Sequence, residues 1–204
     1  MAPSMDDPAA GGKNPAQAAG LGPLGRLFRR DPTPVAARRL YARIVEQARR
    51  PWFYKTGGVP DTLDGRFETI ALHAFLVLRR LRRESVRAAA LSQAVVDTMF
   101  ADMDASLREM GVGDQGVGPR VQRMAAGFYG RIAAYEAGLS GSDPALAAAL
   151  RRNLYGTVEP DPAAIAAICA YVRAAAARLS GQPFGSLRAG VVDFGEPGDP
   201  GATD

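Results

Sequence analysis

Between Thr33 and about Gly181 the apolar residues recur at steps of three and four, the spacing that gathers one face of an α-helix. Thr33-Pro34 reads as a helix start, with a hydroxyl at the N-cap and proline at the first helical position. Leu40, Tyr41, Ile44, Val45 and Ala48 then share one face, and Arg38, Arg39, Arg43 and Arg49 lie largely off it. Pro51 stops this helix. Residues 51–65, with Trp52-Phe53-Tyr54, Gly57-Gly58, Pro60 and Gly65, read as a loop. Asp64 caps a second helix that runs to about Glu84. Its Phe67, Ile70, Ala71, Ala74, Leu78 and Leu81 make one stripe, and Leu72, Phe75 and Leu76 a second. A helix apolar on most sides belongs at the buried centre of a bundle.

A third helix follows from Ala88 to Met110, with Leu91, Val95, Met99, Met103, Leu107 and Met110 on one side. The fourth, Val117 to Leu139, has the cleanest period, through Val121, Met124, Phe128, Ile132 and Tyr135. Asp143-Pro144 starts a short fifth helix with Leu146, Leu150 and Leu154, ended by Gly156. Pro162 opens a sixth with Ile165, Ile168, Cys169, Val172 and Leu179. There is no series of alternating strands and no fixed repeat. The expected fold is all-α, a single-domain bundle of five to seven helices over residues 33–182. Residues 1–32, rich in Ala, Gly and Pro, read as a disordered leader, and 183–204 as a mobile acidic tail. Within the leader, Leu21, Leu24, Leu27 and Phe28 beside Arg26, Arg29 and Arg30 suggest a short amphipathic turn.

The longest apolar run, Ile70 to Leu78, falls short of the roughly 20 residues a spanning helix needs, and the N-terminus lacks the pattern of a secretory signal. The expected location is the cytoplasm, with peripheral contact at the inner face of the cytoplasmic membrane left open. Of the 204 residues 47% are hydrophobic, enough for a core. One Cys excludes an intramolecular disulfide framework and Cys-only zinc or iron–sulfur sites. One His excludes every two-histidine metal motif. The net charge of +4 is unevenly spread: Arg26 to Arg87 holds 15 basic and 6 acidic residues, Ala88 to Val172 holds 6 basic and 9 acidic.

Four features qualify as candidate chemistry. Arg79, Arg80, Arg82, Arg83 and Arg87 crowd the end of the second helix, more cations than capping requires. They suit nucleic acid, a ribosome surface, anionic lipid or an acidic partner. Asp97, Asp102 and Asp104 mark the third helix. Their spacing does not match the Asp clusters of isoprenoid synthases, and the chain cannot supply the paired Glu-x-x-His of di-iron bundles, so an acidic surface or docking site fits better. Gly111-Val112-Gly113-Asp114-Gln115-Gly116 matches G-x-G-x-x-G by letter, but a helix precedes it where the dinucleotide fingerprint needs a strand. Gly111 reads as a left-handed helix terminator. His73 sits among apolar neighbours in the second helix and Cys169 on an apolar stripe, and both read as core residues.

Several segments resemble the ubiquinol–cytochrome c chaperone family. One is Gly65-Arg-Phe-Glu-Thr-Ile-Ala-Leu-His-Ala-Phe-Leu-Val-Leu-Arg-Arg-Leu. A longer one runs from Ala101-Asp-Met-Asp-Ala-Ser-Leu-Arg-Glu-Met-Gly-Val-Gly-Asp114 through Val117-Gly118 and Phe128-Tyr-Gly-Arg131 to Ala134-Tyr135. Tyr41, Trp52-Phe53-Tyr54 and Asn153-Leu-Tyr-Gly156 are consistent with it, so the resemblance covers roughly residues 35–180. It implies an assembly factor and not an enzyme: a bacterial member that binds newly made cytochrome b and assists biogenesis of the cytochrome bc complex. It also implies a small partner protein and contact with the ribosome, with no cofactor, no catalytic residues to carry over and no DNA among the partners. On this view Trp52, Phe53 and Tyr54 are candidates for exposed apolar contact, Arg79, Arg80, Arg82 and Arg83 for an anionic membrane face, and Asp97, Asp102, Asp104 and Asp114 for the basic loops of a membrane client. Two other classes stand beside it, a helical enzyme for an isoprenoid or quinone-like substrate and an RNA-binding helical module using the Arg cluster.

Overall fold

The computed structural model describes residues 33–109, 111 and 114–198, without the side chains of 114, 115 and 120. Among these residues there are eight α-helices and no strand. They are α1 (Thr33–Ala48), α2 (Pro51–Lys55), α3 (Leu63–Arg82), α4 (Ala89–Glu109), α5 (Asp114–Ser140), α6 (Asp143–Leu150), α7 (Pro162–Gly181) and α8 (Phe184–Arg188). A 3₁₀ turn, Ser85–Ala88, leads into α4, and a π turn, Arg151–Tyr155, ends α6. Six long helices match the expected bundle. The other two, which bring the total one above the expected five to seven, are five-residue helices, too short to leave a periodic signal.

Helix α3 is the axis. Its buried residues include Ala71, Leu72, Ala74, Phe75, Leu76, Val77 and Leu81, which cover most of its circumference. They join one core with Leu40 and Ile44 of α1, Val95 and Met99 of α4, Phe128 and Tyr135 of α5, Leu146 and Leu150 of α6, and Ile168 and Val172 of α7. Thr62 caps α3, its side chain accepting from the Gly65 amide at 3.1 Å. Gly65 is buried, and a Cβ there would collide with the Pro60 carbonyl oxygen, so only glycine lets the preceding loop close against the helix. At the far end of α4, Gly111 has φ of +79° and its amide bonds the Arg108 carbonyl at 3.0 Å, the left-handed stop expected there.

Three expectations need correction. Residues 51–55 form a helix because Pro51 sits in its first turn, where a missing N–H costs nothing. The first part of the expected tail, residues 183–194, packs on the bundle: Leu187, Val192 and Phe194 are buried. The Gln182 side chain holds Asp193 from both sides, donating to its carbonyl at 2.5 Å and accepting from its amide at 3.1 Å. Only two apolar residues of this extended piece face inward, so no period marks it. Finally, α7 is long and apolar enough to cross a bilayer by length and composition, with a mean hydropathy of 1.4. Its Ile165, Ile168, Val172, Ala175 and Leu179 are spent on the core. The leader 1–32, with its Leu21–Phe28 turn, and the chain end from 199 lie outside the described residues.

Candidate functional site

Trp52-Phe53-Tyr54 does not form an exposed aromatic loop. Phe53 is fully buried, while Trp52 and Tyr54 are half-buried. The Phe53 ring meets Trp52, His73 and Tyr171 edge-on, with centroids 5.3, 5.0 and 5.0 Å away. The Tyr54 hydroxyl donates to the Ala48 carbonyl at 2.9 Å, tying α2 back to α1. The pattern missed this because an apolar residue in a turn and one in a buried short helix look alike.

His73, expected in the core, is at its centre with no exposure. Its Nδ1 lies 2.7 Å from the Thr69 carbonyl, which can only accept, so Nδ1 carries the proton. Nε2 therefore accepts from the Tyr171 hydroxyl, also at 2.7 Å. That hydroxyl accepts from the Gln47 amide at 3.1 Å, and the same amide donates to the Gly195 carbonyl at 3.0 Å. Burial pulls the His73 pKa down to about 4, so the ring is neutral. Among the described residues no group of three or more His, Cys, Asp or Glu converges as metal ligands would.

The basic cluster divides. Arg80 is buried, donates to the Gln182 carbonyl at 3.2 and 2.8 Å, and pairs with Glu84 at 3.0 Å. Arg79 is bound to Glu136 at 3.1 Å. Both hold the fold together. Arg82, Arg83 and Arg87 are exposed, and between them the 3₁₀ turn presents Val86 at 87% exposure. Ser85 just before it has φ of +51°, a strained conformation for a residue with a Cβ, and it turns the chain outward at this corner.

The acidic candidates are likewise dispersed. Asp102 accepts from the Tyr41 hydroxyl at 2.7 Å, joining α4 to α1. Burial and then the Asp102 carboxylate push the Tyr41 phenol far up. Asp97 accepts from Gln93 at 2.7 Å, and Asp104 pairs with Arg108 at 2.7 Å one turn on. The Asp114 side chain lies outside the described residues.

Two cavities flank the N-terminal half of α3 and share Asp64, Phe67 and Met124 as a common wall. The smaller, about 330 Å³, lies between α1, α3 and α4. Leu63, Ile70, Met103 and Leu107 make its walls, and Asp102 and Glu109 line it as well. The larger, about 660 Å³, lies between the start of α3, α5 and the π turn. Glu68 lines it, gripped by both Arg131 Nε and Nη2. Burial holds the Glu68 carboxyl above its ordinary range although Arg131 draws it down. Neither cavity was legible in the sequence, since their residues come from elements far apart in the chain.

Comparison with known proteins gives a consistent picture. Residues 55–194 match the family described as ubiquinol-cytochrome C chaperone. The chain is 30% identical over 139 residues to a Xenopus laevis protein named ubiquinol-cytochrome-c reductase complex assembly factor 1, covering 68% of this chain and 70% of that one. The Mus musculus protein of the same name is also 30% identical over 139 residues, but the chain spans only 47% of its length. The crystal structure of the Cbp3 homolog from Brucella abortus superposes with a TM-score of 0.74 and 40% sequence identity, over 85% of this chain and 97% of that one.

Proposed function

The chain belongs to the ubiquinol-cytochrome c chaperone family, and from that premise we propose that it is an assembly factor that holds newly made cytochrome b during biogenesis of the ubiquinol–cytochrome c reductase complex. The match over residues 55–194, which spans the bundle from α3 through α8, carries this reading. The groove between α1, α3 and α4 supports it physically. Its apolar walls accept a side chain that would otherwise face water, and Leu63 stands 45% exposed at its edge. Asp64, Asp102 and Glu109 line the same groove against Arg49 and Arg66, and the acidic surplus suits the Lys- and Arg-rich loops that membrane proteins keep on one side of the bilayer. Binding of this kind stabilises a client by mass action and requires no chemistry from the chaperone. The corner with Arg82, Arg83, Arg87 and Val86 suits an anionic membrane face, where a membrane client is found.

Deleting the gene and recording difference spectra of the b and c haems tests the reading. Loss of the assembled complex is expected; a normal complex overturns the proposal. Replacing Asp102 and Glu109 together by Ala tests the acidic contribution of the groove. Client capture is expected to weaken, and unchanged capture removes that part of the mechanism.

A further inference from the structure

The larger cavity carries charge that client holding does not use. Three arginines line it, Arg123 and Arg131 from α5 and Arg152 from the π turn. Arg131 is committed, held by Glu68 and placed 5.6 Å over the Phe67 ring centroid. Arg123 and Arg152 are exposed, and neither has an acidic partner among the described residues. Arg151, next in the same turn, shows the contrast by pairing with Glu159 at 3.3 Å. Two carboxylates also line the cavity. Glu68 is neutralised by Arg131, and Asp64 sits at the α3 end, so the surplus positive charge lies between α5 and the π turn. Close to it the Tyr135 hydroxyl is fully buried without a hydrogen-bond partner among the described residues, within electrostatic reach of Glu68, Arg131 and Arg152.

A helix and a packed turn each set a guanidinium group without an acidic partner on the lining of one cleft, and an anion held in that cleft is attracted by both. A carboxylate is filled by a single arginine fork, whereas a phosphate has three free oxygens to divide between two forks. We infer that this cleft binds a phosphate group through Arg123 and Arg152. Any apolar body attached to that phosphate lies against Met124, Leu154 and Val158, which share the walls. The phosphate comes either from the head of an anionic lipid or from a free phosphate in solution.

Calorimetric titration of the full chain separates these sources, using inorganic phosphate in one arm and short-chain phosphatidic acid below its micellar concentration in the other. Saturable binding of either probe is expected, with binding of phosphatidic acid alone assigning the site to lipid. Arg123→Ala with Arg152→Ala is expected to weaken binding at least tenfold, while Arg151→Ala leaves it unchanged. All three side chains are exposed, and far-UV circular dichroism confirms that the variants fold. Binding of neither probe, unchanged binding in the double variant, or equal weakening by Arg151→Ala overturns the inference. No cytochrome enters the titration, so its failure leaves the assembly reading untouched.

Discussion

Five positions apart on α3, Glu68 and His73 are both buried, and the fold treats them in opposite ways. Around His73 both ring nitrogens are satisfied by protein, and the hydrogen bonds and ring contacts of its network reach four other parts of the chain. Gln47 brings in α1, Phe53 brings α2, Tyr171 brings α7, and Phe194 closes the C-terminal segment over the ring with centroids 5.1 Å apart. Among the described residues Glu68 has one partner, Arg131, and both line an open cleft with two further arginines that lack acidic partners there. A closed, satisfied network acts as a lock on tertiary structure. A half-closed one with surplus charge acts as a site. The two clusters therefore answer differently to substitution.

The largest effect belongs to the lock. Phe53→Ala removes a fully buried ring that touches Trp52, His73 and Tyr171, and is expected to cost about 3–5 kcal/mol in urea unfolding. Arg131→Ala strands the Glu68 carboxylate, whose side chain is only 11% exposed, and is expected to cost about 3 kcal/mol. If the arginine deletion proves the costlier of the two, the fold is secured at the cleft and the roles are reversed.

Acid distinguishes the clusters further. An unfolded histidine titrates near pH 6.5, as in free peptides, whereas burial pulls His73 down to about 4. As pH falls, the unfolded chain takes up this proton first. The neutral ring's contribution is thus complete above about pH 6.5 and is lost progressively as pH falls toward 4, reaching about 3 kcal/mol. His73→Gln removes this dependence. The stability difference between the native chain and the variant is expected to be flat above pH 6.5 and to shift against the native chain below it. A difference constant down to pH 4 would show that the ring is not held neutral.

The helical class and the six long helices were legible because α3, α4, α5 and α7 each run for 20 or more residues, and periodicity accumulates over such lengths. Gly111 was legible because a left-handed stop has a residue-level signature. The C-terminal segment was not, since Val192 and Phe194 give one alternation amid Gly, Pro and Asp. The basic cluster was visible as composition, but which arginines are drawn into the fold depends on partners more than fifty positions away, Glu136 for Arg79 and Gln182 for Arg80. The cleft is harder still, since Arg123 and Arg152 come to line one cavity only through the packing of α5 against α6 and its π turn.

The smallest expected effects give the sharpest contrast, because the same atom is deleted in both clusters. Tyr171→Phe takes away the hydroxyl that donates to His73 Nε2 and accepts from Gln47, leaving two buried polar groups short of a partner. That is expected to cost about 1–3 kcal/mol. Tyr135→Phe keeps the ring that packs 5.5 Å from Phe75 and deletes a hydroxyl that is buried without a partner. Its removal relieves a desolvation cost and is expected to leave stability unchanged or raise it by about 1 kcal/mol. The two variants should therefore differ in sign when their unfolding curves are measured side by side. Equal destabilisation would mean that the Tyr135 hydroxyl is held as firmly as that of Tyr171. The Glu68 cluster would then be a second lock, and the surplus charge of Arg123 and Arg152 would be all that sets the cleft apart.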